Sequence, residues 1–140
     1  MIATLKNKQE IASNTMLFTL DLPEAITFKA GQFFFSKISS SDDDNNYDLN
    51  RHFSFVNPPE DNRIIEFATR ISNSDFKQRL MKMEIGSLIE INGPAGKFTL
   101  PPEGSELIMI AGGIGITPFI SQLRHIQNQK LNYKIKLLHF

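Results

Sequence analysis

Two stretches of the sequence carry residue types that can do chemistry together: Arg51-His52-Phe53-Ser54 and Ala111-Gly112-Gly113-Ile114-Gly115-Ile116-Thr117-Pro118. In the first, a guanidinium can grip a phosphate in bidentate fashion. The strand's aromatic and serine side chains suit an aromatic ligand, one giving ring contact and the other a hydrogen bond. An exposed arginine on a half-buried strand accounts for the same residues without a ligand, and both readings stand. In the second stretch, apolar Leu107 to Ala111 reads as a buried strand. Three glycines then turn the chain, and Pro118 opens a helix. Backbone N–H groups with no Cβ in the way thus gather at a helix N-terminus, where the dipole favours a pyrophosphate. The spacing Gly113-x-Gly115-x-x-Pro118 departs from the full three-glycine dinucleotide fingerprint, and no acidic residue follows about 20 positions on. A ligand-free glycine turn fits the same letters.

Further cations cluster by position. Thr69-Arg70 ends a long strand, and Lys77 lies in the helix after Ser74. Cations near a helix start oppose its dipole, so an anion bound there would account for them; a solvated face is the alternative. His52, His125 and His139 show no ligand spacing, which argues against a metal. Asp42, Asp44 and Asn46 are spaced like a calcium loop, but Tyr47 and Phe53 hold positions that need Gly and Glu.

The elements that must position these groups follow from periodicity. Strands are expected over residues 2–11, 14–22, 32–38, 51–56, 63–71 and 88–91, with a brief one at 98–100. Ser39 to Asn50 reads as a solvated loop, and Asn92 to Gly96 as a turn. A helix starts at the Ser72–Asp75 cluster, carries Phe76, Leu80 and Met83 on one face, and stops by Gly86. Ile116, Phe119, Ile120, Leu123 and Ile126 recur at helical spacing, and 133–140 is a second parallel strand. The pattern changes near residue 103. About six strands with one helix suit a small antiparallel barrel, and strand–helix–strand follows. Ile108, Ile110, Leu137 and Leu138 would need further cover, so this last unit is expected to belong to a larger domain or to dock on another chain.

Composition bounds the function. The 140 residues carry 15 basic and 15 acidic side chains, so nucleic acid and anionic membranes are poor partners. Cysteine is absent, which excludes disulfides, a thiol nucleophile and a self-contained iron–sulfur cluster. No signal-peptide pattern and no membrane-length apolar run occur, giving a cytoplasmic expectation.

Taken in order, Arg51-x-Phe53-Ser54, Gly93-Pro94-x-Gly96-x-Phe98 and Ala111-Gly112-Gly113-x-Gly115-x-Thr117-Pro118 resemble the ferredoxin–NADP reductase superfamily of FAD-dependent oxidoreductases. Ala68-Thr69-Arg70 and Asp75-Phe76-Lys77 match similar segments of small bacterial members. The resemblance implies a six-stranded antiparallel Greek-key flavin-binding barrel over 1–102 and an incomplete Rossmann-like βαβ unit, the start of an NAD(P)-binding domain, over 103–140. It implies that Arg51 grips the FAD pyrophosphate and that Phe53, in place of the usual Tyr, packs on the flavin. Ser54 would reach the flavin near N5, and Thr69 and Arg70 would flank it. Ser74 and Lys77 stand at the helix start where the family has its phosphate-facing serine motif. Gly112, Gly113, Gly115 and Thr117 would line the nicotinamide site. Ser54 and Thr117 are the implied catalytic contacts.

The implied activity is hydride transfer from NAD(P)H to flavin, followed by electron transfer to an iron–sulfur or haem protein. The alternative is a non-catalytic flavin-binding or docking module whose unfinished βαβ unit pairs with another chain or with itself. The segments that separate NAD from NADP, and the family's Cys-Gly motif, would follow Phe140.

Overall fold

The computed structural model describes residues 1–38 and 49–140. The expected acidic loop, Ser39 to Asn50, and its calcium-like spacing fall largely on 39–48, outside the described residues, while Leu49 and Asn50 are strand rather than loop. Among those described, six strands form one antiparallel sheet: β1 (Ile2–Ala12), β2 (Thr15–Asp21), β3 (Phe33–Ile38), β4 (Leu49–Ser54), β5 (Ile64–Arg70) and β6 (Leu88–Ala95). Their spatial order is β4-β3-β6-β1-β2-β5. The β1–β2 hairpin turns through Asn14, whose φ of 53° is a conformation that asparagine tolerates better than most residues.

Alternation decides which side chains enter the core. On β2, Phe18 and Leu20 point inward; on β5, Ile65 and Phe67 do. Phe18 pairs with Phe67 in the β2–β5 register, and their rings stack with centroids 5.1 Å apart. Phe34, Phe53, Phe55 and Phe76 complete an aromatic interior. Helix α1 (Asp75–Lys82) follows β5 and closes one end of the barrel with Phe76 and Leu80, both fully buried.

The chain then forms β7 (Glu106–Ala111), a 3-10 turn over Gly113–Ile116, α2 (Thr117–Gln129) and β8 (Lys134–His139), with β7 and β8 parallel. Met109 and Ala111 are buried, whereas Ile108 and Ile110 are 71% and 61% exposed. Leu138 is exposed beside them, and Leu137 is half-buried.

Three local expectations are corrected. β4 starts at Leu49 and ends at Ser54, because Phe55 N–H donates to Gln32 O and Val56 N–H to Glu66 O, so the chain crosses there from β3 to β5. Asn92–Ala95 is strand rather than turn. Its pairing with β3, Phe35 to Asn92 and Phe33 to Ala95, absorbs the glycine and proline at a register shift. Residues 98–100 form no strand, since Phe98 O accepts a side-chain N–H from Gln122 instead.

Candidate functional site

β4 and β5 are the two ends of the sheet order and share no ladder among the described residues. The seam between them is aromatic inside and cationic at its rim. Phe53 is buried in the core, 4.6 Å from Phe67 and 5.7 Å from Phe76 by ring centroids. Arg51 is exposed on the same strand. Its guanidinium carbon stands 5.8 Å from the centroid of the Phe76 ring, and its Nη1 donates to Asn50 O at 2.7 Å. Phe76 belongs to the first turn of α1, so Arg51 lies over that helix start. There Lys77 Nζ donates to Arg70 O at 2.6 Å. The cap residue Ser74 makes no side-chain cap, and its hydroxyl oxygen is buried without a partner. Arg51, Ser74, Lys77 and the Arg70 carbonyl are thus brought together around one helix N-terminus.

Ser54 is half-buried at the end of β4. Thr69 is buried, with its hydroxyl turned to Arg70 O at 3.5 Å. Neither Phe53 nor Thr69 presents its side chain at the rim. Phe53 has the core position of its strand's alternation, and His52 has the outer one, tilted against Phe33 at 5.6 Å.

A cleft of about 450 Å³ separates the outer face of β2 and β5 from the glycine turn. Ala68 and Arg70 form one wall; Gly113, Ile114 and Thr117 form the other. Arg70 therefore belongs to both halves of the site, with its side chain on the cleft and its carbonyl on Lys77. A Cβ built on Gly112, Gly113 or Gly115 would meet nothing within 4 Å. The backbone at Gly113, with a φ of 48°, favours glycine on its own account, whereas packing within the chain does not require it at Gly112 or Gly115, and the turn's backbone is open to a close-lying ligand. Thr117 Oγ1 donates to Ile114 O at 3.1 Å. His139 Nε2 lies 3.0 Å from Gly113 O, and Gly113 N–H donates to Phe140 O, so the end of β8 braces the turn.

Helix α2 meets the barrel largely through polar side chains. Thr117, Ser121, Gln122 and Ile126 are its buried residues, while Phe119, Ile120 and Leu123 are only half-buried. Ser121 Oγ donates to Asn57 O at 2.7 Å, Gln122 Nε2 to Phe98 O at 3.0 Å and Arg124 Nη1 to Glu66 Oε2 at 2.6 Å. His125 Nδ1 pairs with Glu60. Burial pushes the Glu60 carboxyl up, but its own backbone N–H, His125 and Gln129 outweigh that and hold it below the usual carboxylate range. The Gln122 side chain and the Phe98 carbonyl approach closely at Gly31, where a Cβ would stand 2.5 Å from Gln122 Nε2 and 2.0 Å from Phe98 O.

Sequence reasoning missed Asn57, Ser121, Gln122, Arg124 and His139. A signal was present in one place: the polar pair Ser121-Gln122 falls a helical turn after Thr117, on the face that must bury something.

An antiparallel barrel with an open cationic seam, facing a glycine turn on a βαβ unit, is the architecture of a domain pair that binds two nucleotides. The chain belongs to the oxidoreductase FAD-binding domain family of the ferredoxin–NADP reductase superfamily: that family's model matches residues 2–100, and the ferric reductase NAD binding domain model matches 104–140. The carnitine monooxygenase reductase subunit of Escherichia coli (strain K12) is 31% identical over 101 residues, covering 70% of this chain and 31% of that protein. The propane 2-monooxygenase reductase component of Gordonia sp. (strain TY-5) is 31% identical over 118 residues, covering 81% and 32%. The chain spans about a third of the length of both relatives. The ferredoxin NADP+ reductase of Neisseria gonorrhoeae, solved with bound FAD and NADP, has the same fold, with a TM-score of 0.82 at 24% identity over 99% of this chain and 56% of that one. The cytochrome b5 reductase domain of Ulva prolifera nitrate reductase gives 0.84 at 21%, covering 99% and 61%.

Proposed function

We propose that the chain holds FAD in the β4–β5 seam and takes part in hydride transfer from NAD(P)H, the electrons then passing to an iron–sulfur or haem protein. We divide it at 102/103 into an FAD barrel and the start of a nucleotide domain. The observation that carries the reading is the convergence of Arg51, Ser74, Lys77 and the Arg70 carbonyl on one helix start, with Arg70 also lining the cleft that the glycine turn borders.

The residues fit the cofactor. Arg51 offers a fork of donors to a pyrophosphate, and Lys77 adds a point charge already steadied by Arg70 O. The unpartnered Ser74 hydroxyl is a donor awaiting an acceptor at a positive helix end. Phe53 backs the seam from within the core, and the Thr69–Arg70 backbone borders it. Ser54 supplies a hydroxyl at the end of β4. Gly112, Gly113 and Gly115 admit the nicotinamide nucleotide, and Thr117 orients its ring. When bound, FAD supplies the two-electron chemistry that no side chain here can supply. The protein orients the two ring systems and excludes water. We also propose a cytoplasmic location. Among the described residues no helix is long and apolar enough to cross a membrane.

The test is a visible absorption spectrum of the chain with FAD, repeated after NADH or NADPH. A bound-flavin spectrum that bleaches with either nucleotide is expected; a folded chain that leaves FAD free overturns the reading. A second reading draws on the exposed Ile108, Ile110, Leu138 and Phe140. Here the βαβ unit is a docking surface for a partner chain or a second copy, and stable self-association in sedimentation without nucleotide-dependent bleaching would favour it.

A further inference from the structure

We propose that Asn57 and Ser121 are a positioning pair that sets the register between the flavin side and the nicotinamide side of the site; this rests on the reading just given. Asn57 is fully buried. Its Nδ2 donates to Asp61 O and Ile64 O, both at 3.0 Å, and its Oδ1 accepts from Glu66 N–H at 2.8 Å. The side chain therefore fixes the link between β4 and β5 to β5 itself. Its own carbonyl accepts the Ser121 hydroxyl at 2.7 Å, and Ser121 is also fully buried.

Position along the chain gives this bond its meaning. Asn57 comes three residues after Ser54, and Ser121 comes one helical turn after Thr117 on the same face of α2. One buried hydrogen bond thus joins the two segments that carry the groups assigned to opposite sides of the reaction. Apolar contacts between a helix and a barrel tolerate sliding, whereas a buried donor and acceptor are satisfied in one register only. The neighbouring contacts of α2 with the barrel are polar as well: Gln122 reaches Phe98 O, and Arg124 reaches Glu66. The Gln122 amide also sits close over Gly31, where a Cβ would stand 2.5 Å from its Nε2. Removing the Ser121 hydroxyl leaves Asn57 O buried without its partner, and α2 moves to let that carbonyl reach water. Reacting atoms are sensitive to such motion, since a displacement near 1 Å costs on the order of a hundredfold in rate.

The test uses Ser121→Ala in the full 140-residue chain, which keeps the side-chain bonds of Asn57 intact. The chain lacks cysteine, so Thr27→Cys on the barrel and Gln127→Cys on α2, both exposed positions, give two unique spin-label sites. In the otherwise unaltered chain a single narrow distance distribution is expected. With Ser121→Ala it broadens or shifts, while FAD affinity stays within about twofold, because the seam residues are untouched. At saturating nucleotide the bleaching rate falls roughly tenfold to a hundredfold with little change in half-saturation, the signature of lost alignment rather than lost binding. Ile89→Val, a core change in β6, serves as the control that lowers stability without touching the strut. An unchanged distance distribution, together with a rate no lower than that of the control, overturns the proposal. If the unaltered chain does not bleach at all, the proposed function fails instead, and the distance distribution alone decides the register claim.

Discussion

Phe67 and Ile110 sit on strands of similar length and meet opposite environments. Phe67, on β5, is fully buried among Phe18, Phe34 and Phe53. Ile110, on β7, is 61% exposed on a two-stranded sheet. The barrel is held by apolar burial that it completes itself. The C-terminal unit is held to the barrel by hydrogen bonds, ion pairs and the Phe98–Phe119 ring contact, and it leaves apolar surface over. The proposed binding residues lie where the two regimes meet. A self-sufficient core fixes Arg51 and Ser54, and a polar joint holds the glycine turn against it. Burial alone would fix position only loosely at such a joint, so directional bonds are needed there.

The sharpest way to break this comparison is to truncate one residue from each region. Phe67→Ala should cost about 3–5 kcal/mol of unfolding free energy, since it empties a packed aromatic site. Ile110→Ala should cost less than about 1 kcal/mol, having little burial to lose. Urea unfolding of both variants measures the pair. Equal losses would mean that Ile110 is covered in solution, and the docking reading would gain.

Next in size is the site itself. Arg51→Ala should weaken FAD binding by about 1.5–3 kcal/mol, roughly tenfold to a hundredfold, as the loss of a charged hydrogen-bonding partner. Arg51→Lys should recover only part of this, because a point charge cannot make the bidentate contact. Its stability should stay close to that of the unaltered chain, since Arg51 is exposed. Titration followed by flavin fluorescence gives the affinities. Unchanged affinity in Arg51→Ala would remove the seam from the reading.

The joint should respond more weakly to loss of a rim contact than to loss of its buried strut. Arg124 and Glu66 form a close pair with side chains 44% and 21% exposed. Arg124→Ala and Glu66→Gln should each cost about 0.2–1 kcal/mol, with a coupling of similar size in a double-mutant cycle. A coupling above that range would mean that the pair behaves as a buried one.

The two regions also differed in how far the sequence disclosed them. The barrel's strands were readable because each alternates, as β2 does through Met16, Phe18 and Leu20. The C-terminal strand–turn–helix–strand order was readable from Gly113, Gly115 and Pro118. What failed was nonlocal. Asn92–Ala95 looks like a turn until β3 pairs with it across a register shift. Phe98–Leu100 looks like a strand until Gln122 takes the Phe98 carbonyl. Helix α2 lies between two surfaces. Its apolar side meets Phe98 through Phe119, at 5.3 Å between ring centroids, while Ser121 and Gln122 face the barrel backbone. Periodicity reports that a helix has an apolar side, and it is silent on which neighbour that side will meet. Arg51, Arg70, Ser74 and Lys77 could be named from residue type. That Phe53 and Thr69 are taken by the core follows only once the strand pairing is known.

The smallest effect concerns pH, and it tests whether the polar joint extends to its outer edge. Glu60 pairs with His125 across the barrel–α2 boundary, and its carboxyl is held below the ordinary value. A carboxylate whose folded pKa is depressed contributes stability that is fully present above the unfolded value. That contribution is lost as pH falls through the lowered folded value. Urea unfolding from pH 7 downward should therefore show a loss beginning below about 4.5, the ordinary carboxylate value. Glu60→Gln should flatten that part of the profile by a small amount while leaving the rest of the acid limb in place. His125→Gln should reduce the same feature without abolishing it, because the backbone N–H of Glu60 and the Gln129 side chain still favour the charged carboxyl. If both variants reproduce the original profile, the pair lies outside the joint, and the coupling of α2 to the barrel rests on Ser121, Gln122 and Arg124.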